Sequence, residues 1–232
     1  MEPVAQGVSR GKFITFEGLD GCGKTTQMEK LAVALRAEGI DVVTTREPGG
    51  TEIGERVRAV LLDSRTAGLD PRAEMALMFA SRAQLIAQVI EPALEAGMWV
   101  LCDRYTDSTE AYQGGGRKLG RRPVLQMHRV LCHGLWPELT ILMDSDVTHS
   151  VQRARRRNVS AASGDAPDEN RFERENKKFF ERVHKAYLKI AEREKQRVVM
   201  VDARRPIDDV HREIVSVVRK RLITNRKMEA AP

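Results

Sequence analysis

Residues 18–25 read Gly-Leu-Asp-Gly-Cys-Gly-Lys-Thr, and the spacing G-x-x-x-x-G-K-T is that of a phosphate-cradling loop. Gly18, Gly21 and Gly23 let backbone N–H groups turn inward around phosphate oxygens, with Leu19, Asp20 and Cys22 supplying the intervening amides. Lys24 adds a point charge for the β- and γ-phosphates, the hydroxyl of Thr25 is placed to bind Mg²⁺, and Thr26 carries the chain into a helix whose N-terminus favours anions. The chemistry this implies is the binding of a nucleoside triphosphate and its use as a phosphoryl donor.

A metal at such a loop needs a carboxylate. Met98–Arg104 reads Met-Trp-Val-Leu-Cys-Asp-Arg, an apolar strand ending in Asp103, the shape of the strand whose terminal acid helps hold Mg²⁺. Arg104, next to it, would face the phosphates or form a surface ion pair. A small, polar segment, Asn158–Asn170, lies between the arginine-rich stretches Arg153–Arg157 and Arg171–Arg174. It reads as a lid over something anionic, or as an exposed insertion. A guanine-reading N-K-x-D is missing, since Asn176-Lys177-Lys178-Phe179 fails at its last position. A small nucleotide kinase, which closes arginines over the transferring phosphoryl group, fits these features.

These residues must be positioned by alternating strands and helices. Strands are expected at Phe13–Phe16, Val42–Thr45, Met98–Cys102, Thr140–Met143 and Val198–Val201. Helices are expected at Lys24–Glu38, Ile53–Leu62, Arg72–Ala96, Val124–His133, Val147–Arg157, Phe172–Arg193 and Ile207–Leu222. Pro71 suits the start of the long third helix and Gly97 its end. The pattern predicts an α/β fold: a doubly wound, five-stranded parallel sheet with helices on both faces and a lid segment. Residues 1–11 read as a loose arm, 12–223 as the domain with its lid at about 153–174, and 224–232 as a frayed tail.

Composition sets wider bounds. The chain has 232 residues, 41% hydrophobic and 31% charged, with a net charge of +6. It contains no apolar run of the ~18 residues that a membrane span needs. Its three cysteines, Cys22, Cys102 and Cys132, form no metal knuckle or disulfide framework, so a reducing, cytoplasmic compartment is the default. The five histidines show no metal-binding pairing. The positive charge admits small anionic substrates or a nucleic acid. The basic residues lie in separate loops, with no aromatic-interleaved stripe, which argues against the nucleic acid.

Three segments make the assignment specific: Phe16–Thr26 (F-E-G-L-D-G-C-G-K-T-T), Thr45–Thr51 (T-R-E-P-G-G-T) and Asp103–Arg117 (D-R-Y-T-D-S-T-E-A-Y-Q-G-G-G-R). Together they closely resemble bacterial thymidylate kinases, over about Lys12 to Leu222. The resemblance implies a P-loop fold, a homodimer, and the reaction ATP + dTMP → ADP + dTDP with Mg²⁺. Because the acceptor is an ionised phosphate, no general base is required; catalysis reduces to alignment and charge neutralisation.

The resemblance also implies roles. Gly18 through Thr26 hold ATP, and Thr25 and Asp103 hold the metal. Asp20 lies near the dTMP sugar, or else stabilises its own loop. Arg46, Glu47 and Pro48 border dTMP, with a cis bond before Pro48 as in relatives. Arg58 and Arg104 are candidates for its phosphate; Arg58 could equally be solvated. Arg82 hydrogen-bonds the base, Thr109 and Gln113 lie near its polar edge, and Tyr112 packs on the sugar, where a ribose 2′-hydroxyl would clash. The chain departs from the family in one respect: the position four before Arg82 is Met78, and the aromatic, Phe79, is three before it. Phe79 is expected to stack on thymine, with Met78 as the alternative. Lys24, Asp103 and Arg104 are the catalytic candidates together with lid arginines, of which Arg153 and Arg155 match best and Arg156, Arg157 and Arg171 also qualify. A deoxynucleoside kinase on the same scaffold is the competing enzyme reading.

Overall fold

The computed structural model describes residues 9–161 and 170–223, with the side chains of Arg155 and of residues 157–161 also outside the description. Five strands, β1 (Phe13–Glu17), β2 (Val42–Arg46), β3 (Trp99–Asp103), β4 (Leu139–Asp144) and β5 (Val198–Asp202), form one parallel sheet in the order β2-β3-β1-β4-β5. The expected strands and the expected fold class are therefore observed. β1 is central, and the chain leaves it between β3 and β4, the point where open α/β sheets form a crevice beyond their strand ends.

Helices α1 (Lys24–Ala37), α2 (Glu52–Leu62), α3 (Pro71–Leu85), α4 (Glu91–Glu95), α5 (Thr106–Thr109), α6 (Arg121–Leu131), α7 (Val147–Ala161), α8 (Lys177–Arg193) and α9 (Ile207–Val218) cover the sheet. Side-chain alternation along β1 decides which residues face which layer. Ile14 and Phe16 join Leu31 and Leu35 of α1 and Val210 and Ile214 of α9 in one core. Phe13 joins Phe79, Ile86, Val100 and Tyr105 in the opposite core. Each such fully buried Leu or Ile contributes roughly 1.5–3 kcal/mol. Glu17 shares the parity of Phe13, which puts a carboxylate into this second layer.

Four expectations need correction. The long third helix is not continuous: α3 and α4 are joined by a wide π-turn, Ile86–Ile90, in which Glu91 N–H returns to Ile86 O. Pro92 has no N–H to give, and the wide turn before it absorbs that loss. The segment after Asp103, to which no element was assigned, is helical: α5 runs into a π-helix, Glu110–Gly116. Its polar sequence hides a buried element because its side chains hydrogen-bond the protein rather than water. α8 approaches it closely, since a Cβ at Gly116 would lie 2.6 Å from the Phe179 ring. The eighth helix starts at Lys177 rather than Phe172, because the side-chain Oδ1 of Asn176 accepts from Phe179 N–H at 3.0 Å and caps it. Finally, α7 extends to Ala161, into the segment read as a polar loop; 162–169, like most of the expected arm and the tail, lie outside the described residues.

Candidate active site

Beyond the carboxyl ends of β1, β2 and β3 lies a cleft of about 1060 Å³. The phosphate loop forms one side. α1 begins at Gly23, φ 98°, with no side chain capping it, so its first-turn amides remain for an anion. Gly21 is required twice over: its φ is +79°, and a Cβ there would stand 2.4 Å from Ser150 O of α7. Lys24 Nζ donates to Leu19 O at 2.9 Å and Gly18 O at 3.3 Å, so the loop's own carbonyls hold the ammonium. Thr25 Oγ1 donates to Asp103 Oδ2 at 2.8 Å, while Asp103 Oδ1 is buried without a partner among the described residues. A hydroxyl beside an orphaned carboxylate oxygen fits a hard cation that takes few protein ligands.

The opposite wall carries buried charges wired to one another. Arg82, 2% exposed, lies at the end of α3 and donates from Nε to Glu47 Oε2 at 2.7 Å and from Nη2 to Thr109 Oγ1 at 3.0 Å. Arg82 Nη1 and Glu47 Oε1 are both buried without partners among the described residues. Burial pushes Glu47 up to about 7 against the pull of Arg82. The Glu47–Pro48 bond is cis, Pro48 O accepts from Arg58 Nη1 at 3.0 Å, and Arg46 pairs with Glu55 at 3.0 Å.

Between the walls, Arg104 occupies left-handed backbone at φ 75°, a strained conformation for a side-chain-bearing residue that concentrates at functional sites. It donates to Asp20 Oδ1 at 2.7 Å, Ser108 Oγ at 2.9 Å, and the hydroxyls of Tyr112 and Tyr187 at 3.2 Å each. Burial opposes ionisation of Asp20, but the charges of Arg104 and Lys24 outweigh it and hold the carboxyl well below the usual carboxylate range. Tyr112 OH donates to Asp20 Oδ2 at 3.0 Å, and its ring meets Phe172 edge-on at 5.7 Å.

The structure brings most of the anticipated residues to this cleft: Asp20, Gly21, Gly23, Lys24, Thr25, Thr26, Arg46, Glu47, Pro48, Arg58, Arg82, Asp103, Arg104, Thr109, Tyr112, Gln113 and Arg153 line it. Gly18 and Leu19 lie behind the loop, Leu19 packed in the core. Cys22 lines a smaller neighbouring pocket. Phe79 is placed otherwise than expected. It is 0% exposed among Phe13 and Tyr105, and its ring supports the Arg82 guanidinium from behind at 4.7 Å. Met78 is the residue on the cleft wall. One residue is 100° of helical turn, which is enough to carry a side chain from the cavity into the core. Of the lid arginines, Arg153 and Arg156 reach the cleft. Arg171 does not: it is buried against Glu74 Oε2 at 2.6 Å. The side chains of Arg155 and Arg157 lie outside the described residues.

Several participants were not anticipated. Glu17 accepts from Tyr105 N–H at 2.8 Å, Ser108 Oγ at 2.5 Å and Tyr187 OH at 3.1 Å, directly beneath Arg104. Burial, then the nearby Asp107, push it up to about 7. A glutamate inside an apolar strand was the available signal. The pocket of about 380 Å³ beside Gly23 and Thr26 is walled by Ser145, His149, Arg153, Arg204, Arg205 and Ile207, among others. The position of its basic pair just past β5, at the sheet's carboxyl edge, was the signal there.

A doubly wound sheet with a phosphate loop at its switch point, a strand-end carboxylate beside the loop's threonine and arginines of α7 on the cleft wall fits the class of P-loop nucleotide kinases. Within that class the family is specific. The family model for thymidylate kinase matches residues 16–214. The chain is 44% identical over 215 residues to the thymidylate kinase of Pelobacter propionicus, covering 93% of this chain and 97% of that one. It is 49% identical over 198 residues to that of Desulfovibrio desulfuricans, covering 85% and 90%. The crystal structure of thymidylate kinase from Ehrlichia chaffeensis superposes with a TM-score of 0.71 at 31% identity, over 90% of this chain and 99% of that one. The chain belongs to the thymidylate kinase family, and it is an enzyme of that family, as its motifs implied.

Proposed function

We propose that the chain transfers the γ-phosphoryl group of ATP to dTMP, giving dTDP, with the donor on the phosphate-loop side of the cleft and the acceptor against Arg82. The observation that carries this reading is the orphaned Nη1 of Arg82. A donor-only group, buried and unsatisfied on a cavity wall, requires an acceptor, and a pyrimidine carbonyl supplies one. Tyr112, tied to Asp20 and braced by Phe172, walls the sugar and disfavours a ribose 2′-hydroxyl. The adenine of ATP has room in the smaller pocket, which is continuous with the loop at Gly23 and Thr26.

The acceptor phosphate is already ionised, so the residues act by position and charge. Lys24 leaves its loop carbonyls for the β- and γ-phosphates. Arg104 is a fixed positive charge held by Asp20 on one side and by Ser108 and Tyr187 on the other. Arg153, common to both pockets, is the lid arginine best placed over the transferring group, with Arg155 beside it in sequence. Thr25 and Asp103 would hold Mg²⁺, which when bound neutralises charge on the β- and γ-oxygens. Each of these interactions grows as charge redistributes between donor and acceptor oxygens, which is the condition for lowering the barrier rather than only binding tightly.

Beyond the reaction, we infer a cytoplasmic homodimer that binds no nucleic acid. The three thiols are free and buried, no helix among the described residues is long and apolar enough to cross a membrane, and Ile53 and Val60 stand exposed on α2. A coupled spectrophotometric panel of nucleosides and nucleoside monophosphates tests the central reading. dTMP is expected to be phosphorylated and thymidine not; the reverse would mean a deoxynucleoside kinase.

A further inference from the structure

Glu74 lies in the first turn of α3 and is wholly buried. Three side chains converge on it. Arg171 Nη1 donates to Oε2 at 2.6 Å, Arg117 Nε to both oxygens at 3.2 Å, and Gln113 Nε2 to Oε1 at 2.8 Å. A carboxylate gripped by two guanidinium groups only accepts hydrogen bonds, so the Gln113 amide has to turn its NH₂ toward it. The remaining polar atom of that amide, Oε1, is an acceptor. Gln113 lines the cleft together with Arg82, which can only donate.

The wall thus carries a donor, Arg82 Nη1, and an acceptor, Gln113 Oε1, on residues that line the same cleft. The matching edge has a carbonyl next to an N–H, the O4 and N3–H of thymine. Cytosine has the reverse, an amino group next to an unprotonated ring nitrogen. We propose that Glu74 is a specificity-determining positioning residue, which locks the Gln113 amide in the one orientation that accepts from a pyrimidine N3–H and so excludes cytosine. This rests on the reading that the base edge meets Arg82 and Gln113.

Glu74→Gln tests it, because a glutamine can donate as well as accept and so releases the Gln113 amide to either orientation. Expected are a rise in KM for dTMP of about tenfold, a similar fall in the dTMP-over-dCMP ratio of kcat/KM, and kcat and KM for ATP within about twofold. In a Gln113→Leu background, Glu74→Gln should have no further effect on KM for dTMP. An unchanged dTMP-to-dCMP ratio, or effects of the two substitutions that simply add, would overturn the proposal and leave Glu74 as an anchor for Arg117 and Arg171. Unchanged dTMP kinetics in Gln113→Leu alone would instead remove Gln113 from the base edge, and the proposal with it. Should Glu74→Gln not fold, Glu74→Asp keeps the charge for both arginines but shortens the reach to Gln113. The same KM split is expected of it, and an intact ratio would again refute the lock.

Discussion

The wall of the cleft around Lys24 and the wall around Arg82 close on one cavity but are made differently. The first is a single stretch of chain, residues 18–26, and most of what it offers an anion is backbone. Its charged group, Lys24, is held among the described residues by two carbonyls and the Cys22 sulfur of its own loop. The second draws Glu47 from the end of β2, Arg82 from α3 and Thr109 and Gln113 from the helical segment after β3, all buried; Arg82 bonds both Glu47 and Thr109, and Gln113 is held by Glu74. In the proposed function the donor side takes a polyanion whose identity is mostly charge, for which mobile charge on a fixed cradle suffices. The acceptor side proposed there has to tell one base from another, which takes donors and acceptors held rigidly in low-dielectric surroundings.

This contrast predicts different consequences for damage on each side. Lys24→Ala should lower kcat by about 10³-fold while leaving the thermal midpoint almost unchanged, because among the described residues the hydrogen bonds of Lys24 stay within its own loop. Steady-state kinetics beside a melting curve would check both, and a normal kcat would sink the phosphate-loop assignment. Arg82→Ala should act on activity and stability together. KM for dTMP should rise about 10²-fold with KM for ATP little changed, and stability should fall by about 3 kcal/mol, since Glu47 is left buried without its partner. If Arg82→Ala melts like the parent chain, the buried Arg82–Glu47 pair does not hold this wall together.

The smallest effect concerns Glu17, between the walls. Its carboxyl is raised from 4.5 to about 7 by burial and by Asp107, so the native state keeps a proton that the unfolded chain has already released. Its contribution is therefore complete below about pH 4.5 and is lost as pH rises through about 7. Denaturant titrations should show stability falling across that window by at most about 2–3 kcal/mol, and Glu17→Gln should flatten the slope. A parent chain whose stability rises from pH 5 to 7.5 by the same amount as the Gln variant's would exclude this role for Glu17.

Which parts could be read in the chain follows from the same contrast. The phosphate loop was legible because its function lies in local backbone geometry, which glycine spacing encodes directly. The five strands were legible because a parallel sheet covered on both faces demands continuous apolar runs. The wall around Arg82 was anticipated only through resemblance, and there the register misled: Phe79 and Met78 are neighbours in sequence, and only the packing of α3 on the sheet turns one into the core and the other into the cleft.

The amino-acid sequence by itself thus determined the sheet, the phosphate loop, the carboxylate at the end of β3 and the family, since each is written in short-range spacing. Tertiary structure alone decided that Glu17 underlies Arg104, that Arg171 anchors rather than covers, and that Glu74 orients Gln113. Those relations join residues up to 170 positions apart, as Glu17 and Tyr187 are. They arise because a buried charge must find its partner wherever the fold has brought one.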